Sequence, residues 1–239
     1  MTIPRLDSSA LREWERIAAG RTAGAPARRR GAWPLRVVRL AAMALLVAVL
    51  PFLVLVKVAV FLYGRGGYPT VLALAGGTAC TAAVVTAYAA LVWHRFTGRA
   101  RLALVVRRFA LPLVLAYCGY ALIYLSSANA KSGRVRAYYA SLHPLLRVAL
   151  STLIIADRDL VVTDLARGPG DYAAMGLAPN DGSLHYVQRD GYAHAADLRT
   201  TGRGVLRNRL VQLYFWSMGF ATLRHVGTGD HLHVELPVR

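Results

Sequence analysis

Two stretches near the C-terminus carry the side chains best suited to chemistry: residues 183–199 (SLHYVQRDGYAHAADLR) and residues 227–236 (GTGDHLHVEL). If the second is a strand, alternation puts His231, His233 and Glu235 on one face and Leu232, Val234 and Leu236 on the other. Two imidazoles on one face, with a carboxylate from a neighbouring strand, form the nitrogen and oxygen donor set that zinc takes. The first stretch also reads as a strand and offers that carboxylate in Asp197, with His185 and His194 as nearby imidazoles. Along it Ala195, Asp197 and Arg199 share one face and His194, Ala196 and Leu198 the other, so His194 points away from Asp197. An H-x-H pair alone is equally at home on the exposed face of an ordinary strand; the His and Asp upstream give the metal reading its weight.

These residues resemble a known group, the zinc peptidases that unite lysostaphin-type endopeptidases, D-alanyl-D-alanine dipeptidases and carboxypeptidases, and the hedgehog signalling domain. The dipeptidase and carboxypeptidase branch writes its first part S-x-H-x-x-G-x-A-x-D. Ser183 and His185 match its opening and Ala195 and Asp197 its close, with five extra residues between. Gly229 to Glu235 is similar to the closing H-L-H-F-E of the lysostaphin branch, whose first part, H-x-x-x-D, is one residue longer than the step from His194 to Asp197. Leu160 to Arg167 resembles a carboxypeptidase strand that ends in a substrate-contacting arginine.

The resemblance implies a zinc ion held by His185, Asp197 and His233, with a fourth position open to water, as in catalytic sites. It implies His231 as the proton-transfer group, Asp230 as the alternative base and Arg167 as the transition-state contact. Glu235 shares the histidines' face and would orient one of them. The expected activity is hydrolysis of peptidoglycan peptides, of D,D-carboxypeptidase or endopeptidase type. The alternative is a catalytically inactive, zinc-stabilised module that binds cell-wall peptides or a protein partner.

Positioning these residues is the task of a small α+β domain with an antiparallel sheet, expected over residues 129–239. Its elements are a helix over 135–153 divided at Pro144, a strand over 160–163, a short helix over 171–175 closed by Gly176, and an amphipathic helix over 205–218. That last helix has apolar residues at 206, 210, 213 and 214 and is stopped by Gly219.

Ahead of the domain the chain is far more apolar, and the whole is 56% hydrophobic with a mean hydropathy of +0.39. Runs over about 40–63, 70–93 and 109–125 are long enough for transmembrane helices, forming an anchor over 40–125. Gly76, Gly77 and Ala79 make a small-residue patch that lets a neighbouring helix approach, and Lys57 is expected to reach up to the headgroups. Arginines crowd the chain before Leu40 and the second loop, whereas the first loop has only Arg65. The N-terminus and second loop are therefore expected in the cytoplasm and the C-terminal domain outside it, across a bacterial cell membrane.

The net charge of +17 does not argue for nucleic acid, because most of the excess lies in the membrane half. Residues 1–39, including Arg28, Arg29 and Arg30, read as a cytoplasmic basic arm, mostly without regular structure and drawn to anionic lipid. Cys80 and Cys118 sit in apolar runs, which leaves neither a disulfide framework nor a thiolate metal site.

Overall fold

Continuous apolar sequence gives long helices. The computed structural model describes residues 8–22, 32–99, 101–168, 170–176, 178, 180–227 and 229–237. Its first half holds α1 (Ser8–Thr22), α2 (Ala32–Gly64), α3 (Thr70–Thr97), α4 (Leu102–Val105) and α5 (Leu111–Ile123), the last two joined through a π-helical turn at Val106–Ala110. Three helical stretches, Leu35–Gly64, Thr70–Thr97 and Leu102–Ile123, are long and apolar enough to cross a membrane. The third begins earlier than expected. Arg107 and Arg108 lie inside it, because long basic side chains do not break a helix even where hydropathy falls.

The basic arm is also more regular than expected over its described part. Leu11, Arg12, Glu13, Arg16 and Ala18 are good helix formers, and they lie in α1. Arg28, Arg29 and Arg30 lie outside the described residues. By internal contacts residues 1–47 and 48–239 form two units, and the second of them carries every candidate site residue.

Within that second unit, α2 and α3 approach closely at the small-residue patch. A Cβ on Gly77 would lie 2.7 Å from Leu55 O and 3.0 Å from Ala59 Cβ. Lys57, exposed, donates from Nζ to the carbonyl of Ser217, 2.6 Å away.

The remaining elements are α6 (Gly133–Ala137), α7 (Pro144–Ala156), β1 (Val162–Asp164), α8 (Asp171–Ala174), β2 (Ala195–Arg199), α9 (Val205–Met218), β3 (Ala221–His225) and β4 (His231–Glu235). Pro144 starts α7, its missing N–H costing nothing at a first turn, and His143 Nδ1 accepts the Leu145 amide as the cap. All four strands form one antiparallel sheet in the order β1-β2-β4-β3. Strand β3 has no counterpart in the sequence reading. Conversely, residues 183–194, expected as part of a strand, form turns, and only 195–199 join the sheet.

One face of the sheet is the core: Ala196, Leu198, Leu232 and Val234 join Leu146, Leu150, Val211 and Phe215 in a single buried apolar cluster. Val60, Tyr63, Ala73 and Ala121, from the candidate spans, belong to the same cluster. Tyr139 Oη donates to Ala121 O (2.7 Å), and Arg147 Nη1 to Leu122 O (2.5 Å). Asn129, buried, closes the turn before β1 by donating to Arg158 O and Leu160 O, each at 2.8 Å. Asn129→Ala removes both donors from desolvated carbonyls. We expect it to cost about 2 kcal/mol, seen in the detergent-solubilised chain as a fall of roughly 4–8 °C in apparent Tm.

Candidate metal centre

The register of the sheet assembles the site. Asp197 on β2 stands opposite His233 on β4, with Arg199 opposite His231 and Ala195 opposite Glu235. Alternation along β4 buries Leu232 and Val234 and leaves His231, His233 and Glu235 partly exposed on the other face. They line a cleft of about 500 Å³ together with His185, His225 and Arg167.

His185 comes from the turn at 183–186, not from a strand. Its backbone N–H donates to Ser183 Oγ, which also accepts from Tyr172 Oη, and its carbonyl accepts the Arg167 amide. Its ring Nδ1 contacts the Leu165 carbonyl. A carbonyl only accepts, so Nδ1 carries the proton and the lone pair sits on Nε2. That Nε2 is buried. Among the described residues it is one of two buried side-chain N or O atoms without a hydrogen-bond partner, the other being Arg147 Nε. It lies 3.3 Å from Asp197 Oδ1. Two acceptors facing each other in a buried place call for a proton or a metal cation between them.

His233 completes the group, its Nδ1 2.8 Å from the same Asp197 oxygen and its Nε2 3.3 Å from Glu235 Oε2. A proton on Nε2 donated to Glu235 leaves Nδ1 free to ligate. His185 Nε2, Asp197 Oδ1 and His233 Nδ1 thus converge, the three residues' donor atoms all within 4.8 Å of one another. The other oxygen of Asp197 accepts from Arg167 Nη2 (3.0 Å), which fixes the carboxylate plane.

Burial opposes ionisation of Asp197, but the imidazoles of His185 and His233 beside it, with His231 close by, hold its carboxyl well below the usual range. Burial likewise opposes charging His233, and the Asp197 and then Glu235 carboxylates outweigh it, raising the imidazole above its ordinary value.

Other residues singled out in the sequence fall in different places. His231 borders the cleft; its Nδ1 contacts Gly229 O, which puts the lone pair on Nε2, 3.7 Å from Asp197 Oδ1. Arg167 reaches the cleft too, but its guanidinium also donates to Asp164 (2.6 Å) and Tyr172 (2.9 Å). Asp230 is engaged elsewhere. Arg224 grips both its oxygens at 2.7 Å and Thr200 donates at 2.6 Å, lowering its carboxyl to about 2. It is not among the residues that line the cleft.

His225 on β3 was not anticipated. Its ring stacks on that of His231 with centroids 4.7 Å apart, and burial, then the neighbouring His231 and His233, lowers its basicity. The only sequence signal was a histidine closing a five-residue segment just after the stop of α9.

A second group, His143, Asp190 and His194, also brings three potential donors within 4.8 Å. His143 Nδ1 accepts the Leu145 amide, so its proton is on Nε2, 3.0 Å from Thr70 Oγ1. His194 donates Nδ1–H to Leu236 O (3.2 Å), and its Nε2 stands 2.8 Å from Asp190 Oδ2. A cation on His143 Nε2 would set two N–H groups face to face at Leu145. The two groups therefore differ: among the described residues His185 Nε2 is a buried imidazole nitrogen with no hydrogen-bond partner, whereas all four ring nitrogens of His143 and His194 have one. The chain was compared with protein-family models, curated proteins and solved structures, and none of them matches it.

Proposed function

We propose that this chain is a membrane-anchored zinc peptidase acting on peptidoglycan peptides, with a cytoplasmic N-terminus and its cleft outside the cytoplasm of a bacterial cell. The observation that carries the reading is the buried lone pair of His185 Nε2 beside Asp197 Oδ1 and His233 Nδ1, at an open cleft. Imidazole and carboxylate donors suit zinc, and three protein ligands leave a position for a reactant.

When bound, the metal would supply a Lewis acid that acidifies water and polarises the scissile carbonyl. The protein's own residues do the rest. Arg167 and Glu235 orient Asp197 and His233 through the contacts described, the usual work of groups behind metal ligands. His231 Nε2 takes the proton from the attacking water and returns it to the leaving amine.

The test uses the full chain in detergent. We expect about one zinc per chain, cleavage of purified muropeptides, and loss of cleavage on chelation with recovery on adding zinc. A chain that binds zinc and muropeptides but cuts none of a panel of D,D, L,D and bridge substrates is a binding module instead. Reporter fusions after Arg239 should be active only outside the cytoplasm; activity only inside would place the cleft in the wrong compartment.

A further inference from the structure

Helix α9 is apolar on two sides. Inward, Val211, Phe215 and Met218 are buried with Asn208. Outward, Leu206, Leu210, Leu213 and Trp216 form a stripe at helical spacing, from 54% to 74% exposed. The sequence suggested 206, 210, 213 and 214 as the apolar side of an amphipathic helix; in the structure Tyr214 packs against the core, and 206, 210 and 213 are turned away from it. A helix on a water-facing surface has one apolar side, not two.

The cover for the outer stripe is indicated by where α9 is held. At its C-terminal end Lys57 Nζ of α2 donates to Ser217 O, a cation at the negative end of the helix. A Cβ on Gly219, which stops the helix at φ +107°, would come within 3.1 Å of Val60 Cγ1. Lys57 stands seven residues before Gly64, where α2 ends. That is about 10 Å along the axis, the depth at which an interfacial helix lies.

In the middle of α9, Tyr214 Oη donates to Ala149 O of α7. Helix α7 is itself fixed to the third candidate span, since Thr152 Oγ1 meets Tyr117 Oη (2.7 Å) and Ser151 Oγ donates to Ala121 O (3.3 Å). Near the N-terminal end, Arg207 binds Asp157 and Asp159, just after α7. Helix α9 is thus tied along its length to residues of, or bonded to, the outer turns of two spans. The basic residues on it suit a phosphate layer: Arg209, exposed among the leucines, can extend along the apolar surface and keep its guanidinium in the headgroups.

We infer that Leu206, Leu210, Leu213 and Trp216 form a lipid-seating face, set at the headgroup and acyl boundary of the leaflet on the C-terminal side. The inference rests on α2 and Leu102–Ile123 being membrane spans. Because α9 packs behind the apolar face of the sheet, the seating leaves the opposite, His-lined face free for substrate.

The test is depth-dependent quenching in the full chain. One variant keeps Trp216 as its sole tryptophan, with Trp14, Trp33 and Trp93 changed to Phe. A reference variant lacks all four and carries Leu115→Trp, at an exposed position midway along α5. Both are reconstituted in vesicles of phosphatidylcholine and phosphatidylglycerol, with and without bromine on the acyl chains, and unchanged circular dichroism checks the fold. We expect Trp216 emission to fall about twofold, most with bromines near the headgroups, because interfacial helices sit at that depth. Quenching of the Leu115→Trp probe but not of Trp216 overturns the inference and leaves the anchor intact, whether water or a second copy of the chain covers the stripe. Quenching of neither probe overturns both the seating and the spans.

Discussion

Asp197→Ala should abolish stoichiometric metal binding by the full chain. Of the three converging donors, Asp197 Oδ1 is the one negative charge and the one atom near both His185 Nε2 and His233 Nδ1. Loss of a group behind a ligand already weakens metal binding by about 10–100-fold, so loss of the anionic ligand itself should exceed 100-fold. The substitution also strips Arg167 of a buried partner, so a metal-free chain must be shown to be folded. His233→Ala provides that control, because it removes a donor while leaving the Arg167 contact to Asp197 in place. His194→Ala should keep its metal, since His194 lies with His143 and Asp190 in the group whose ring nitrogens are all hydrogen-bonded. Metal analysis after dialysis decides the matter. Full occupancy in Asp197→Ala with loss in His194→Ala would move the metal to the other group and remove the basis for the peptidase.

Much of the frame was legible because its causes are local. The candidate spans follow from long, mostly apolar sequence, and β4 from the alternation of two histidines and a glutamate with buried Leu232 and Val234. Gly219 and Pro144 mark the end of α9 and the start of α7 for stereochemical reasons that hold in any context.

The illegible parts depend on partners distant in sequence. His185 sits in a turn fixed by Leu165 and Ser183, so strand spacing could not position it; only the order of the motif pieces could. Asp230 stands three residues before His233, as an alternative base would, yet its carboxylate is claimed by Arg224 on β3 and Thr200 after β2. Strand β3 escaped notice because Ala221, Leu223 and His225 mix apolar and polar residues on the cleft side, and with it His225 was missed. The stripe on α9 was legible as apolar but not as outward, since periodicity defines a face and only packing decides which face is buried.

His231→Ala should leave the metal in place and lower the rate of peptide cleavage by about 10²–10⁴, the usual loss for a positioned proton-transfer group. His231 is not one of the three converging donors, and its removal leaves His185, Asp197 and His233 as they were. Its Nδ1 faces the Gly229 carbonyl, which directs the basic lone pair of Nε2 toward the cleft, and stacking on His225 holds the ring plane. The neighbouring carboxylate, Asp230, is bound by Arg224, held at a pKa of about 2 and turned to other partners, so it offers no basicity near neutral pH. Asp230→Asn should accordingly change the rate far less than His231→Ala. The decisive measurement is kcat on muropeptides at equal zinc content, across pH, for the native chain and both variants. A rate unchanged in His231→Ala, or a larger loss in Asp230→Asn with the fold and metal intact, would take the proton-transfer role away from His231.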